Sequence, residues 1–182
     1  MSFHDLHRHV LEDLVTGFST DRNANHLAVV RRPAILSVLA AAGQEASVAE
    51  ALHAVENAAP RFCGPSEWLL VSRTLSAEHL ADALVDIHGA LVVDQSEGKV
   101  LLSISGPAVR TVLAKCVAVD LHPEVFAMGQ SANALIYHVP GNIARTGEDE
   151  FEIVTPRSFA VSVFEELLEM GREHGLTRNF TE

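Results

Sequence analysis

The 182-residue chain is short of basic residues, of cysteine and of long apolar runs, and each shortage closes off a class of function. Thirteen Lys and Arg stand against 24 Asp and Glu, a net charge of −11 with histidine neutral. Such a chain is repelled by phosphate backbones and by anionic lipid surfaces, which argues against nucleic-acid and membrane partners. The longest apolar stretches fall well short of the ~20 residues that a membrane-crossing helix needs. Cys63 and Cys116 have no metal-site or redox-motif spacing. Residues 1–9 carry neither the basic segment nor the apolar core of an export signal. The expectation is a cytoplasmic protein with both thiols reduced.

Motifs that carry chemistry are missing too. There is no G-x-G-x-x-G after a strand, no G-x-x-x-x-G-K-[ST], no H-E-x-x-H, no G-x-S-x-G and no C-x-x-C. Dinucleotide binding, phosphate-loop chemistry, zincin metal sites and the hydrolase elbow therefore lack their usual local parts. No catalytic, cofactor-binding or metal-ligating residue is assigned.

What is present is a globular composition, 48% apolar and 20% charged. A chain of this length buries roughly 70% of its unfolded surface and needs no staples. Residues 1–30 read as an N-terminal arm that orders on a partner, residues 31–175 as one α+β domain, and residues 176–182 as a tail. Ala34–Ala42 is an apolar run that suits a strand or a buried helix turn. Ser47 and Glu50 form a capping-box pattern that predicts a helix to about Ala58. Glu67–Ser72 reads as a strand, and Ser76 caps a helix with Leu80, Leu84 and Ile87 on one face. Gly89–Asp94 and Lys99–Ser105 read as a hairpin, with Gly98 supplying the positive φ of its turn. Gly106-Pro107 then starts a helix at once. Strands are expected at Ser131–His138, Asn142–Arg145 and Phe151–Thr155. Ser158 caps a final helix to about Met170, ended by Gly171 and Gly175. From Glu67 to His138 the order is β-α-β-β-α-β, the ferredoxin-like split βαβ arrangement.

Several polar groups invite a functional reading. His4, His7 and His9 are close enough in sequence to gather a transition metal, although a solvated polar arm is the simpler context. His53 and His79 lie on amphipathic helices and read as surface residues. Asp120 and His122, held by Pro123, suit either an acid–base pair or an Asp-capped turn in which His122 bonds a carbonyl. Trp68 reads as core. Arg157-Ser158 suits an anion at a helix start, or more simply a cap with an interface salt bridge.

Four ordered blocks resemble the gamma subunit of heterotetrameric sarcosine oxidase. They are Gly64-Pro65-Ser66-Glu67-Trp68-Leu69-Leu70, then Val93-Asp94-Gln95-Ser96-Glu97-Gly98-Lys99 with Ser105-Gly106-Pro107, then Asp120-Leu121-His122-Pro123, and finally Phe151-Glu152-Ile153 with Arg157-Ser158-Phe159-Ala160. Together they run from about Pro60 to Glu173. The second block is also similar to the opening of folate-dependent aminomethyltransferases. Gln95 and Glu97 depart from the family pattern, and the first 60 residues match it poorly.

The resemblance implies an aminomethyltransferase-like fold and a non-catalytic subunit of an oxidoreductase complex with alpha, beta and delta partners. It implies that those partners, rather than this chain, hold FAD, FMN, NAD, tetrahydrofolate and zinc. The implied reaction demethylates sarcosine to glycine, passes the one-carbon unit to tetrahydrofolate and forms peroxide. The competing reading is a free-standing folate-binding or aminomethyl-transfer protein. A third is a histidine-rich metal-binding module using the N-terminal arm.

Overall fold

The computed structural model describes residues 8–17 and 22–181. In chain order the elements are α1 (Glu12–Val15), β1 (His26–Val30), β2 (Ala34–Ala40), α2 (Glu45–His53), β3 (Ala59–Gly64), β4 (Glu67–Ser72), α3 (Ala77–Asp82) and β5 (Ala90–Asp94). Then come β6 (Lys99–Ser105), α4 (Val109–Leu113), β7 (Ser131–Ile136), β8 (Val139–Gly147), β9 (Glu150–Pro156), α5 (Ala160–Gly171) and β10 (Thr177–Thr181).

Strand periodicity gives each sheet two faces, and the two faces bury different things. The four-stranded sheet has the order β3-β4-β2-β5, with every pair antiparallel. Ala34, Leu36, Val38, Trp68 and Leu70 point from one face into a core with Val48 and Leu52 of α2, Leu80 of α3 and Leu84 just beyond it. The six-stranded sheet has the order β10-β1-β6-β9-β8-β7. Its outer face packs Leu27, Val29, Leu102, Ile104, Phe151 and Ile153 against Val112 and Leu113 of α4 and Val163, Phe164 and Leu167 of α5. The inner faces meet across a smaller core of Val30, Ile35, Leu69, Val71, Leu101 and Val154. Four layers result: helices, sheet, sheet, helices.

The fold is α+β with a ferredoxin-like β-α-β-β-α-β unit and added strands, as the sequence suggested. The unit that closes one sheet is β2-α2-β3-β4-α3-β5, and it begins earlier than Glu67. The stretch from Glu67 to His138 has the expected element order, but its strands are split between the two sheets. Gly89–Asp94 and Lys99–Ser105 are therefore not a hairpin. β5 pairs with β2, whereas β6 pairs with β1 and β9. The loop between them crosses from sheet to sheet, and Gly98 needs no positive φ to do so.

The larger sheet takes in a segment from each terminal region. His26–Val30, read as part of an arm, is a strand between β10 and β6, and Thr177–Thr181, read as tail, pairs with it in parallel. Side chains reinforce that pairing. The His26 ring has Nδ1 2.7 Å from Thr177 Oγ1 and Nε2 2.8 Å from Asn179 Oδ1, which a neutral imidazole satisfies with one donor and one acceptor. Burial pushes the His26 pKa down, only partly opposed by the Asn179 bond.

The folded value thus lies below the ordinary 6.5 of the unfolded chain, which takes up the proton first as pH falls. The stability that the neutral ring contributes is complete above about pH 6.5 and is lost as pH falls toward the folded value. His9 is shifted in the same direction and adds to this slope. Urea midpoints should therefore drop on acidification from about pH 7 to about 5.5, and His26→Gln should show a shallower drop. Equal slopes in the two proteins would show that His26 plays no part.

Three helix starts differ from expectation. α2 begins at Glu45, not after Ser47, whose hydroxyl donates back to the Gln44 carbonyl at 3.0 Å. α5 is preceded by a 3-10 turn, Arg157–Phe159, so Ser158 is not its cap. One residue, Ala108, separates Pro107 from α4, which begins at Val109. Ser76 does cap α3, accepting the His79 N–H at 3.2 Å.

Candidate functional site

The layer between the sheets holds the chain's main buried polar cluster. Glu152 sits on β9 between Phe151 and Ile153, so strand alternation turns it inward while its neighbours face the helices. It meets Arg61 of β3, whose side chain is 1% exposed. Arg61 Nη2 donates to one carboxylate oxygen of Glu152 and Arg73 Nε to the other. Arg73 also reaches Glu150 at 3.2 Å, and Ser103 Oγ donates to the same Glu150 oxygen at 2.9 Å. Burial pulls the Arg61 pKa down, and the Glu152 carboxylate opposes it. Nε and Nη1 of Arg61 have no hydrogen-bond partner among the described residues. Each oxygen of the Glu152 carboxylate accepts a charge-assisted hydrogen bond from a different guanidinium, so this cluster ties sheet to sheet.

Beside it the layer opens into a cleft of about 730 Å³ bordered by Ser37, Cys63, Glu67, Gln95, Lys99 and Asn142. Asn133 and the Asn142 amide nitrogen are engaged, while Asn142 Oδ1 is buried without a hydrogen-bond partner among the described residues. Asn133 Nδ2 donates to the Cys63 carbonyl at 2.6 Å, and Asn142 Nδ2 to Asn133 Oδ1 at 2.9 Å. The Cys63 thiol is pushed up, first by burial and then by the charge of Glu67, which keeps it protonated and a poor nucleophile. Cys116 is buried and pushed up to about 11, mainly by burial.

From the cleft outward, the inner face of the small sheet is uncovered. Cross-strand partners share a face, and Leu39 pairs with Leu91 while Ser37 pairs with Val93. Leu91 is 61% exposed, Val93 42% and Leu39 40%. They form an apolar strip along the margin of the sheet, with Glu67 on the strand beyond Leu39. Contiguous exposed apolar side chains beside an edge strand mark a contact surface rather than a finished exterior.

The residues singled out from sequence do not converge. His4 and His7 lie outside the described residues. His9 is half-buried, packs edge-on to Phe180 at 5.2 Å and accepts the Leu11 N–H through Nδ1. Burial, then the charge of Arg157, lowers its pKa. Among the described residues no group of three or more His, Cys, Asp or Glu is placed to hold a metal.

His53 and His79 are exposed. Asp120 accepts the His122 backbone N–H at 2.9 Å, so it closes a turn. The His122 ring takes the Glu124 N–H at 3.4 Å and not a carbonyl. Trp68, 7% exposed, is core as expected. Arg157 donates to the Arg8 carbonyl at 3.3 Å.

Sequence reasoning missed Arg61, Arg73 and the Leu39–Leu91–Val93 strip. The one signal available was Glu152 itself, a carboxylate inside an otherwise apolar strand.

The family model described as sarcosine oxidase, gamma subunit family matches residues 30–171. The sarcosine oxidase subunit gamma of a Corynebacterium species is 32% identical over 132 residues, 69% of this chain and 62% of that protein. The matched part thus spans less than two thirds of that relative. A solved heterotetrameric sarcosine oxidase from Corynebacterium contains a chain that superposes with a TM-score of 0.76 and 26% identity, over 92% of this chain and 96% of that one. The glycine cleavage system aminomethyltransferase T of Bartonella henselae shares the fold, with a TM-score of 0.59 and 18% identity over 87% of this chain and 48% of that one.

Proposed function

We propose, from the premise that the chain belongs to the sarcosine oxidase, gamma subunit family, that it is a non-catalytic structural subunit of a sarcosine-oxidase-type complex. The observation that carries the proposal is its superposition over most of its length on a chain of a heterotetrameric sarcosine oxidase. The uncovered apolar strip supports it, because a subunit hides such a surface against its neighbour. In this reading the alpha, beta and delta partners hold FAD, FMN, NAD, tetrahydrofolate and zinc. The complex demethylates sarcosine to glycine, transfers the one-carbon unit to tetrahydrofolate and reduces oxygen to peroxide, in the cytoplasm. The share of this chain is architectural: a rigid double sheet on which partner surfaces are aligned.

The isolated chain should show no flavin absorbance, no sarcosine turnover and no thermal shift with tetrahydrofolate. A folate site in this chain would contribute about 2.7 kcal/mol at 100 times Kd. For a chain of this length that is a rise of about 5–10 °C in Tm. A rise of that size would replace the structural reading with the folate-binding one.

A further inference from the structure

The geometry points to β5 as the strand on which a partner chain adds its own strand: we propose that an extended, basic-flanked segment of a partner subunit pairs with the free edge of Ala90–Asp94 and covers Leu39, Leu91 and Val93. This rests on the subunit reading above and deepens it.

The edge is chemically open. β5 ends the order β3-β4-β2-β5 and, among the described residues, pairs only with β2. Gln95 N donates to Ile35 O at 2.8 Å and Ala41 N to Gly89 O at 2.7 Å, which sets the alternation of the antiparallel ladder. In that phase Leu91 and Val93 spend their backbone groups on β2, while Val92 and Asp94 direct theirs away from the sheet. An incoming strand finds these N–H and C=O groups already aligned. β5 is short and ends in Asp94, but it has no proline, no lysine and no bulge to blunt its edge. Its side chains complete the platform. Leu91 and Val93 stand on the open face with Leu39, and Val92 packs against the helix-side core.

Charge selects the occupant. Glu67 borders the strip, Asp94 ends the strand and Glu97 follows it, and none of them is ion-paired among the described residues. Among the described residues, Lys99 is the one cation that borders the cleft. A second copy pairing edge to edge would bring two such acidic margins together, on chains that each carry −11. A segment with apolar residues at alternate positions and Lys or Arg beside them meets both the strip and its rim.

The test uses the full-length tagged chain expressed in its source organism and purified with its bound partners, which intact mass and flavin content identify. Leu91→Lys with Val93→Lys should reduce recovery of the partner chains at least tenfold and leave the Tm of the chain unchanged, since both residues are exposed. Val125→Lys, exposed elsewhere on the surface, should retain them. In the wild-type complex, residue-resolved hydrogen exchange should slow at Val92 and Asp94 relative to the free chain and change little at Leu91 and Val93. That alternation is specific to strand pairing and would persist as a readout even if the double variant folded poorly.

A wild-type complex in which Val92 and Asp94 exchange as fast as in the free chain overturns the proposal while the subunit reading stands. So does full retention of partners by the double variant. A wild-type chain recovered alone, or as a dimer of itself, overturns both.

Discussion

Glu152→Ala should cost about 3–5 kcal/mol of folding stability, the penalty for leaving a buried charge without its partner. Arg61 is 1% exposed and has no water to turn to once the carboxylate is gone. Two of its nitrogens already lack partners, so the loss of Glu152 removes the only acceptor of its guanidinium among the described residues. Arg73 is a third exposed and can rehydrate, so its lost bond adds little. The midpoint of urea unfolding should therefore fall sharply. Replacing both members, Arg61→Met with Glu152→Leu, should recover most of the loss, because two apolar groups need no desolvated partner. The pairing would be shown to be unimportant if Glu152→Ala stayed within about 0.5 kcal/mol of the wild type, as surface changes do.

Gly106→Ala is the second large effect. Gly106 adopts φ +124°, outside the range open to an L side chain, and an added Cβ would run into the Ala24 carbonyl oxygen and come within 2.6 Å of Asn25 Oδ1. The backbone strain alone is worth on the order of 1–3 kcal/mol, and the clash with main-chain atoms adds to it. Asn25 cannot step aside freely. Its Oδ1 accepts the Ala108 N–H at 2.9 Å, and its Nδ2 donates to the His174 carbonyl at 3.0 Å. The substitution should lower Tm by several degrees and speed exchange at His26–Val30, because the displaced segment leads directly into β1. A Gly106→Ala protein with unchanged Tm would mean that the 22–30 segment is held less firmly than its contacts indicate.

These two sites show which parts of the fold were legible in sequence. Elements whose pattern is local were readable: α5 with Phe164 and Leu167 inward and glutamates outward, the Ser76 cap, and the alternating β9. Elements defined by distant partners were not. β10 carries one aromatic and four polar residues and becomes a strand only through parallel pairing with β1. β3 contains Pro60, which reads as a stop, yet an edge strand tolerates it. Gly89–Asp94 and Lys99–Ser105 had the look of a hairpin because turn chemistry is local, while the choice between two sheets is made by β1, β2 and β9. The ion-pair cluster was hidden for the same reason, since Arg61 and Glu152 lie 91 residues apart. The strip of Leu39, Leu91 and Val93 could not be picked out, because a strand's sequence does not reveal which face remains uncovered.

Membership of the family was legible from the ordered blocks between Pro60 and Glu173, and the family model covers most of that stretch. The strip and the ion-pair cluster lie within the matched residues 30–171 too. The blocks carried the likeness, and the geometry of the site had to come from the structure.

As proposed above, this chain works as a structural part of a larger enzyme, with its chemistry done by its neighbours. Native mass spectrometry of the tagged chain, isolated gently from its source organism, tests that most directly. A stoichiometric assembly should appear in which this 19.6 kDa chain accompanies larger flavin-bearing chains, and gas-phase dissociation should release it without any bound cofactor. A chain that emerges alone, or that itself carries a flavin or folate mass, would contradict the claim.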